Sequence, residues 1–503
     1  MTKLKSQNKT SRGFTALKWN AFGNTVRALV QFIIGIVLAR LLGPEPFGLV
    51  AIAWIVIGLG NLIADFGLAS ALVQRQNITP LDIRFAFTVQ IVVGLVFSVV
   101  VASLAPLIGI FFGKPNAVQV VQAMALLFVL QASGQTSAAI LRRQMNFRAI
   151  QLASIGGYLT GYIAVGLPMA WAGAGVWALV VAQLTQAIIT SAALYLRVRH
   201  SLQPTLRMPG GGMLAFGSGV LAGNVSSWGI SNLDAAIVGR IFGIVELGLY
   251  NRTMNLVATP MNAFVSAVQS VLFSAYSRGQ TDIASVRRSY LASVGGVAML
   301  LIPAFLTLAA IPQTTILGVY GEAWLPAKSL LTPLALAMPI NVLLALGGPL
   351  LLGLGKARSE ASIHAFSLLA LAFALSWAAN VSIFAVPWAV LSVYILRCLL
   401  ITGLALRICE ARWVQFVRAI SGPLIVGCFA AALAASMDHL LQNWLQNPAL
   451  RLAGVLFGTG LFCAVVVLFF GRWLIGRDVV GLFAASAGRL PEPLTWCMRR
   501  WGY

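Results

Sequence analysis

Apolar segments of about 20 residues recur along almost the whole chain, and each is long enough to cross the ~30 Å hydrocarbon core of a bilayer. Only 9% of the 503 residues are charged, whereas 59% are apolar, which leaves too few polar side chains to cover a water-soluble fold. A β-barrel would show short alternating segments instead. The sequence therefore predicts an all-α integral membrane protein with about fourteen transmembrane helices.

The basic residues predict how these helices are oriented. When the N-terminus is placed in the cytoplasm, most of the 34 lysines and arginines fall in the tails and loops of that one face. Such an excess is typical of cytoplasmic loops. An even number of helices then places both termini in the cytoplasm. This orientation accounts for most of the net charge of +22, so the charge does not call for a nucleic-acid partner.

One junction between apolar segments occurs twice. The stretch "LARLLGPEPFGLVAI" (38–52) and the stretch "IVGRIFGIVELGLYN" (237–251) align at an offset of two hundred positions. Within residues 23–49, the identical pairs at this offset are Gly23 and Gly223, Asn24 and Asn224, Arg40 and Arg240, Gly43 and Gly243, Gly48 and Gly248, and Leu49 and Leu249. Because six helices separate the copies, we expect parallel repeats related by an axis along the membrane normal.

The repeat predicts an organisation in two six-helix lobes plus two C-terminal helices. The expected segments are a basic cytoplasmic tail (1–15), an N-terminal lobe (16–196), a cytoplasmic linker (197–212), a C-terminal lobe (213–406), an extra helix pair (419–474) and a cytoplasmic tail (475–503). The segments 213–238 and 247–275 are the least apolar of the predicted helices.

Polar side chains form stripes on the first two helices of each repeat. The predicted stripes comprise Asn20, Asn24, Arg27 and Gln31 on the first helix, Asn61 and Asp65 on the second, Asn224, Ser231 and Asp234 on the seventh, and Arg252 and Asn255 on the eighth. Ionisable groups at membrane depth face a bundle interior or a wet cavity, because exposing them to lipid is costly. Hydrogen bonds that hold helices together are one explanation of the stripes. A polar cavity that binds a substrate is the second explanation, and it is favoured because the stripes are concentrated on four helices.

Arg27 and Asp65 carry two alternative interpretations. They form a buried ion pair that fixes the packing, or Arg27 meets an anionic ligand while Asp65 or Asp234 binds a coupling ion. The repeated turn has a simpler explanation, in which Arg40 and Arg240 satisfy carbonyls at helix C-termini. Its glycines, Gly43, Gly48, Gly243 and Gly248, allow a tight connection between packed helices.

Sequence motifs of enzymes and metal sites are missing from the chain. GxxxxGK[ST], GxSxG and HExxH do not occur, the carboxylates are scattered, and the five cysteines lack CxxC spacing. The three histidines are far apart, and we expect them at the surface or at the membrane interface. The chain is therefore predicted to be a non-enzyme that carries no metal or cofactor, and transport remains as the function of a bundle with a polar centre.

The stretch "LARLLGPEPFGLVAIAWIVIGLGNLIADFGLASALVQR" (38–75) resembles the start of bacterial polysaccharide and O-antigen flippases of the Wzx type, most closely the branch with colanic acid exporters. The stretches "AAIVGRIFGIVELGLYNRTMNL" (235–256), "YGEAWLPAKSLLTPLAL" (320–336) and "GPLLLGLGKA" (348–357) are similar to the second half of that family. The resemblance places the chain in the multidrug/oligosaccharidyl-lipid/polysaccharide exporter superfamily.

The resemblance implies alternating access to a cationic cavity. The implied cargo is an undecaprenyl-pyrophosphate-linked oligosaccharide, a repeat unit of exopolysaccharide, capsule or O-antigen, that crosses the bacterial inner membrane with H⁺ or Na⁺ coupling. Arg27 matches the basic residues that line the cavity in the family, and Arg252 is the next candidate. The implied partners are membrane lipids, a polysaccharide polymerase and a chain-length regulator. A multidrug exporter and a lipid II exporter of the same superfamily are the alternatives.

Overall fold

The long apolar segments fold as helices because a helix satisfies its own backbone hydrogen bonds, which lipid cannot do. The computed structural model describes residues 2–64, 72–73, 75, 78–206, 218–278 and 282–474. This described part is almost entirely helical and contains no strand. Its first helices are α1 (Thr2–Leu42), α2 (Pro44–Ala64), α3 (Pro80–Phe111), α4 (Asn116–Arg143), α5 (Phe147–Tyr158), α6 (Leu167–Trp171), α7 (Val176–Val198), α8 (Ser218–Ile241) and α9 (Ile244–Arg278).

Short irregular helices interrupt the regular pattern at two places. A π-helix, Leu159–Gly166, joins α5 directly to α6, so that one continuous rod runs over 147–171. A 3₁₀ helix, Glu322–Ala327, leads into α12. The remaining helices are α10 (Ile283–Ala310), α11 (Pro312–Val319), α12 (Lys328–Gly353), α13 (Ala357–Ala379), α14 (Ala385–Ile408), α15 (Trp413–Gln442) and α16 (Pro448–Leu474).

The predicted all-α membrane fold is confirmed in the described residues. Twelve helical rods in the described part are long and apolar enough to cross a membrane. The two long helices outside that set are α8 and α9, which correspond to the two least apolar predicted segments. Fourteen crossings with both termini in the cytoplasm therefore remain a prediction.

The chain divides into two compact units, Met1–Arg252 and Thr253–Tyr503. In the first unit α4 packs against α3 and α7, α1 packs against α5, and α2 packs against α8. In the second unit α10 packs against α12 and α15, while α16 packs against α11 and α15. The boundary between these units reflects packing and lies inside α9, whereas the predicted lobes are defined by the sequence repeat. The predicted lobes and linker therefore stay a prediction.

The segment after α7 is held against α3 by side chains. The Arg84 Nε atom donates to the Gln203 carbonyl at 3.3 Å, and the Thr205 N–H donates to the Thr88 hydroxyl at 3.0 Å. Beside them His200 is buried, with its ring centre 5.0 Å from that of Phe87. Of the two places expected for His200, the exposed surface is wrong, because aromatic packing against α3 removes this ring from solvent, and the membrane interface stays a prediction.

The two copies of the repeated turn lie against each other within the first unit. Gly43 and Gly243 end α1 and α8 with φ angles of +71° and +109°, a region that side chains other than glycine rarely adopt. A β-carbon at Gly48 would lie 1.9 Å from the Ile244 carbonyl oxygen, and one at Gly248 would lie 2.0 Å from the Pro44 oxygen. Residues 44 and 48 are equivalent to 244 and 248, so this contact is reciprocal.

The arginines of the repeated turn have different surroundings. Arg40 is exposed in the last turn of α1. Arg240, also exposed, places its guanidinium carbon 5.1 Å from the ring centre of Phe111. Their assignment to helix C-terminal carbonyls stays a prediction.

Candidate functional site: a polar strip along the first helix

The polar face of α1 is the base of the candidate site. Asn24, Arg27 and Gln31 follow one another on this face, since they are separated by three and four residues. The Arg27 Nη2 atom donates to the Asn24 side-chain oxygen at 3.4 Å. Arg27 is half-buried, so its guanidinium is only partly shielded from the surroundings. The face thus presents a positive charge beside two amide groups.

Helix α5 comes close to this face at Gln151. The Gln151 amide donates to the Asn24 oxygen at 3.1 Å. A β-carbon at Gly23 would lie 2.4 Å from the Gln151 Cγ atom, so glycine at position 23 makes room for the buried glutamine. Asn24 therefore accepts from both Arg27 and Gln151, which links α1 to α5 through polar groups.

A second guanidinium, that of Arg252, lies two turns further along the same face. Its Nη1 atom would be 3.3 Å from a β-carbon at Gly35, and its Cζ atom lies 3.9 Å from the ring centre of Phe47. Eight residues separate Arg27 from Gly35, which corresponds to about 12 Å along the helix axis. The structure thus places two arginines of the first unit at two depths along one face of α1.

Two tyrosines follow Gln151 on the same continuous helical rod. The rings of Tyr158 and Tyr162 stack with their centres 4.5 Å apart. The Tyr162 hydroxyl donates to the Gln183 side-chain oxygen at 2.7 Å. Tyr162 belongs to the π-helix that begins directly after Tyr158, and π-helical turns are frequent at functional sites.

We call Asn24, Arg27, Gln31, Gln151, Tyr158, Tyr162 and Arg252 the polar strip. Its guanidinium groups can bind phosphate oxygens in a bidentate way, and its amides can hydrogen-bond to hydroxyl groups. Gln151, Tyr158 and Tyr162 are not among the residues predicted from the sequence. A signal was present, because these residues follow at i, i+7 and i+11 and so share one helical face.

Of the two predicted ion-coupling residues, the structure describes Asp234. Asp234 is buried on α8, where it accepts hydrogen bonds from the Tyr250 hydroxyl and, at 2.8 Å, from the Ala235 N–H. Asp65 lies outside the described residues, so its ion pair with Arg27 stays untested. Within the described residues, no group of three His, Cys, Asp or Glu could hold a metal ion.

The other predicted cavity residues are Ser231, Asn255, Asn20 and Asn224, and the structure describes the side chains of the first two. Ser231 is exposed one turn before Asp234 on α8. Asn255 is exposed and belongs to the second unit. Asn20 and Asn224 lie in described helices, but their side chains are outside the described residues.

The sequence of this chain is similar to a known protein family and to individual proteins of polysaccharide synthesis. Residues 37–329 match the family described as "Polysaccharide biosynthesis protein". The lipopolysaccharide biosynthesis protein WzxC of Escherichia coli (strain K12) is 25% identical over 353 residues, 69% of this chain and 70% of its own length. The succinoglycan biosynthesis transport protein ExoT of Rhizobium meliloti (strain 1021) is 25% identical over 468 residues, 90% and 92% of the two chains.

Solved structures show the same fold at lower identity. The lipid II flippase MurJ in an inward closed conformation superposes with a TM-score of 0.71 at 14% identity, covering 90% of this chain and 99% of its own. An inward-facing multidrug MATE transporter of the MOP superfamily gives 0.59 at 17% identity, with 78% and 98% covered. The predicted resemblance to polysaccharide flippases and the predicted multi-pass location in the bacterial inner membrane are confirmed. Since the family match spans more than half of its length, this chain belongs to the polysaccharide biosynthesis protein family.

Proposed function

We propose that the chain is an alternating-access flippase for a lipid-linked oligosaccharide used in polysaccharide synthesis. The cargo moves from the cytoplasmic to the periplasmic leaflet of the inner membrane, with its pyrophosphate and sugars passing along the polar strip. The observation that carries the proposal is the placement of Arg27 and Arg252 at two depths on one face of α1. The names of the relatives, which refer to lipopolysaccharide synthesis and succinoglycan transport, support the same cargo class.

The chemistry of the cargo explains why such a strip is needed. Each sugar hydroxyl transferred into hydrocarbon without a partner costs several kcal/mol, and a charged pyrophosphate costs much more. Amide and tyrosine groups of the strip offer hydrogen bonds to the sugars. The two guanidinium groups offer consecutive binding positions for the pyrophosphate. The polyprenyl tail stays in lipid, so only the headgroup has to be accommodated by protein.

The sign of the charge distinguishes this proposal from a drug exporter of the same fold. A site for cationic drugs calls for acidic side chains, whereas the charged residues that define the polar strip are two arginines, Arg27 and Arg252. Lipid II also carries pyrophosphate and polyprenyl groups, so it remains the second candidate cargo. We assign no catalytic step to the chain.

Coupling to H⁺ or Na⁺ is part of the same proposal. Asp234 is the described candidate for the coupling group, since it is a buried carboxylate whose bonding partners are a tyrosine and a backbone amide. Asp65 is the second candidate. A polymerase and a chain-length regulator are the proposed protein partners, because both act on the repeat units that such a flippase delivers.

The test uses a strain that lacks the chromosomal copy and carries tagged variants at equal membrane levels. Arg27→Gln should lower surface polysaccharide and cause lipid-linked repeat units to accumulate in the cytoplasmic leaflet. Loss of a charge-assisted hydrogen bond, worth about 1.5–3 kcal/mol, corresponds to a reduction of roughly tenfold or more. Arg27→Lys should retain part of the activity because it keeps the charge. Arg40→Gln, at the exposed end of α1, is the matched control.

Normal polysaccharide export by the double variant Arg27→Gln/Arg252→Gln would overturn the role of the polar strip. Efflux of cationic dyes without any effect on surface polysaccharide would favour the drug exporter. Rescue of lipid II translocation, measured in a strain depleted of its own lipid II flippase, would instead favour that second cargo.

A further inference from the structure

A basic cavity opens between α5 and α7, at the helix ends that the charge distribution predicts to be cytoplasmic. Its volume is about 580 Å³. Two arginines, Arg148 from the first turn of α5 and Arg197 from the last turn of α7, line it together with Leu152. The remaining wall is formed by Asn146 and three alanines. The cavity thus combines two positive charges with a largely apolar lining.

Among the described residues, no acidic side chain is paired with the two arginines of this cavity. The Arg148 guanidinium carbon lies 5.2 Å from the ring centre of Trp19, a contact that orients the group without cancelling its charge. Arg197 makes no side-chain hydrogen bond or ion pair with any other described residue. No acidic side chain is among the residues that line the cavity in the described part of the chain. Two guanidinium groups that share a cavity repel each other unless an anion binds between them.

The apolar neighbours indicate that this anion is attached to a lipid. Leu152, one turn after Arg148, is 53% exposed, and Leu196, beside Arg197, is 60% exposed. The apolar span 147–171 starts at the cavity, so acyl chains can follow it into the membrane while a headgroup stays at the arginines. Basic pockets between transmembrane helices on the cytoplasmic side suit anionic lipid headgroups.

We propose that the cavity between α5 and α7 binds the headgroup of an anionic glycerophospholipid of the cytoplasmic leaflet, with its phosphate between Arg148 and Arg197. This site differs from the polar strip. None of the residues that line the cavity belongs to the strip. The proposal does not depend on which cargo the protein carries.

The experiment measures the thermal stability of the purified full-length protein in detergent as lipid is added. Phosphatidylglycerol and phosphatidylcholine with identical acyl chains are compared. Phosphatidylglycerol should raise the Tm of the wild-type protein by several degrees, because a ligand that binds only the folded state stabilises it. The half-saturating concentration should increase about tenfold in Arg197→Gln, and the stabilisation should disappear in Arg148→Gln/Arg197→Gln.

Arg142→Gln is the matched control, since Arg142 is exposed at the same end of the neighbouring helix α4 and does not line the cavity. It should respond to phosphatidylglycerol like the wild type. Since Arg197 makes no hydrogen bond or ion pair with another described residue, Arg197→Gln should keep the Tm of the lipid-free wild-type protein, and this is measured in the same experiment. An equal response to phosphatidylcholine, or an unchanged response of the double variant, overturns the proposal. The same stabilisation by inorganic pyrophosphate alone overturns the assignment to a lipid.

Discussion

The glycines at positions 48 and 248 allow two backbones to approach closer than any side chain would permit. Each faces a carbonyl oxygen of the other copy of the repeated turn, at Ile244 or at Pro44. A methyl group at either position would overlap with backbone, which cannot rotate away as a flexible side chain can. We therefore expect the size of the residue, rather than its helix propensity, to decide stability at these two positions.

Gly48→Ala and Gly248→Ala should each destabilise the protein by about 1–3 kcal/mol, the usual cost of overpacking. Gly156→Ala on α5 is the control, because a β-carbon there meets open space. That change should be neutral or stabilising by roughly 0.5–1 kcal/mol, since alanine favours the helix. Thermal unfolding in detergent measures all three variants.

The two glycine positions should also be coupled. Once Gly48→Ala has moved the turns apart, Gly248→Ala meets less overlap, so the double variant should lose less stability than the sum of the single variants. Additive losses, or a Gly48→Ala variant as stable as Gly156→Ala, would show that the close approach does not limit packing.

At the scale of elements, the two last helices are tied to the second unit by one polar cluster. The Arg451 Nε atom lies 3.1 Å from an oxygen of Asp438, and the Thr314 hydroxyl donates to Asp438 at 2.7 Å. Arg451 is buried and also donates to the Thr314 hydroxyl at 2.9 Å. These three residues come from α16, α15 and α11, so the cluster connects the extra helix pair to the rest of its unit.

Asp438→Asn should destabilise the second unit because it leaves the Arg451 charge buried without its partner. We expect the free energy of unfolding to fall by about 3 kcal/mol. This is near the low end for breaking a buried ion pair, because Asp438 is partly exposed. Asp438→Leu/Arg451→Met should be less destabilised, because neither charge remains. Unfolding curves of the two variants in the same detergent give the comparison. A double variant that is less stable than Asp438→Asn would contradict this explanation.

The sequence predicted the positions of the helices better than their contacts. Long apolar runs specify where a helix can span lipid, and this is a property of each segment alone. The hydrogen bond between Asn24 and Gln151 and the stacked pair Tyr158–Tyr162 depend on which helices are neighbours, and hydropathy carries no information about that. The π-helix after Tyr158 was not predicted either, because its residues, "LTGYIAVG", are an ordinary apolar run.

At the scale of the whole molecule, the distribution of charge makes a prediction about orientation. Connections on the predicted periplasmic side are short, as at 112–115 between α3 and α4, and those on the opposite side carry most of the basic residues. An arginine or lysine resists translocation, so this asymmetry should set the topology during insertion.

Fusions of a phosphatase that is active only in the periplasm test this topology. Fusions after Lys114 and after Gly243 should be active, whereas fusions after Met145 and after Ser201 should be inactive. The pair at Ser201 and Gly243 examines α8, one of the two least apolar long helices. Equal activity at these two positions would show that α8 does not cross the membrane and that the two copies of the repeated turn are not parallel. A reversed pattern would invert the predicted orientation.

The reciprocal contact of Gly48 and Gly248 has the form of a symmetric interface between two identical subunits. In such an interface residue i of one partner touches residue j of the other, while j touches i in return. Residues 48 and 244 satisfy this relation together with 248 and 44. A homodimer of a six-helix ancestor would contain this contact on its twofold axis, and fusion of two gene copies would carry it into a single chain. At Gly48 and Gly248 the two copies of the repeated turn therefore keep the symmetric contact that two identical subunits would make.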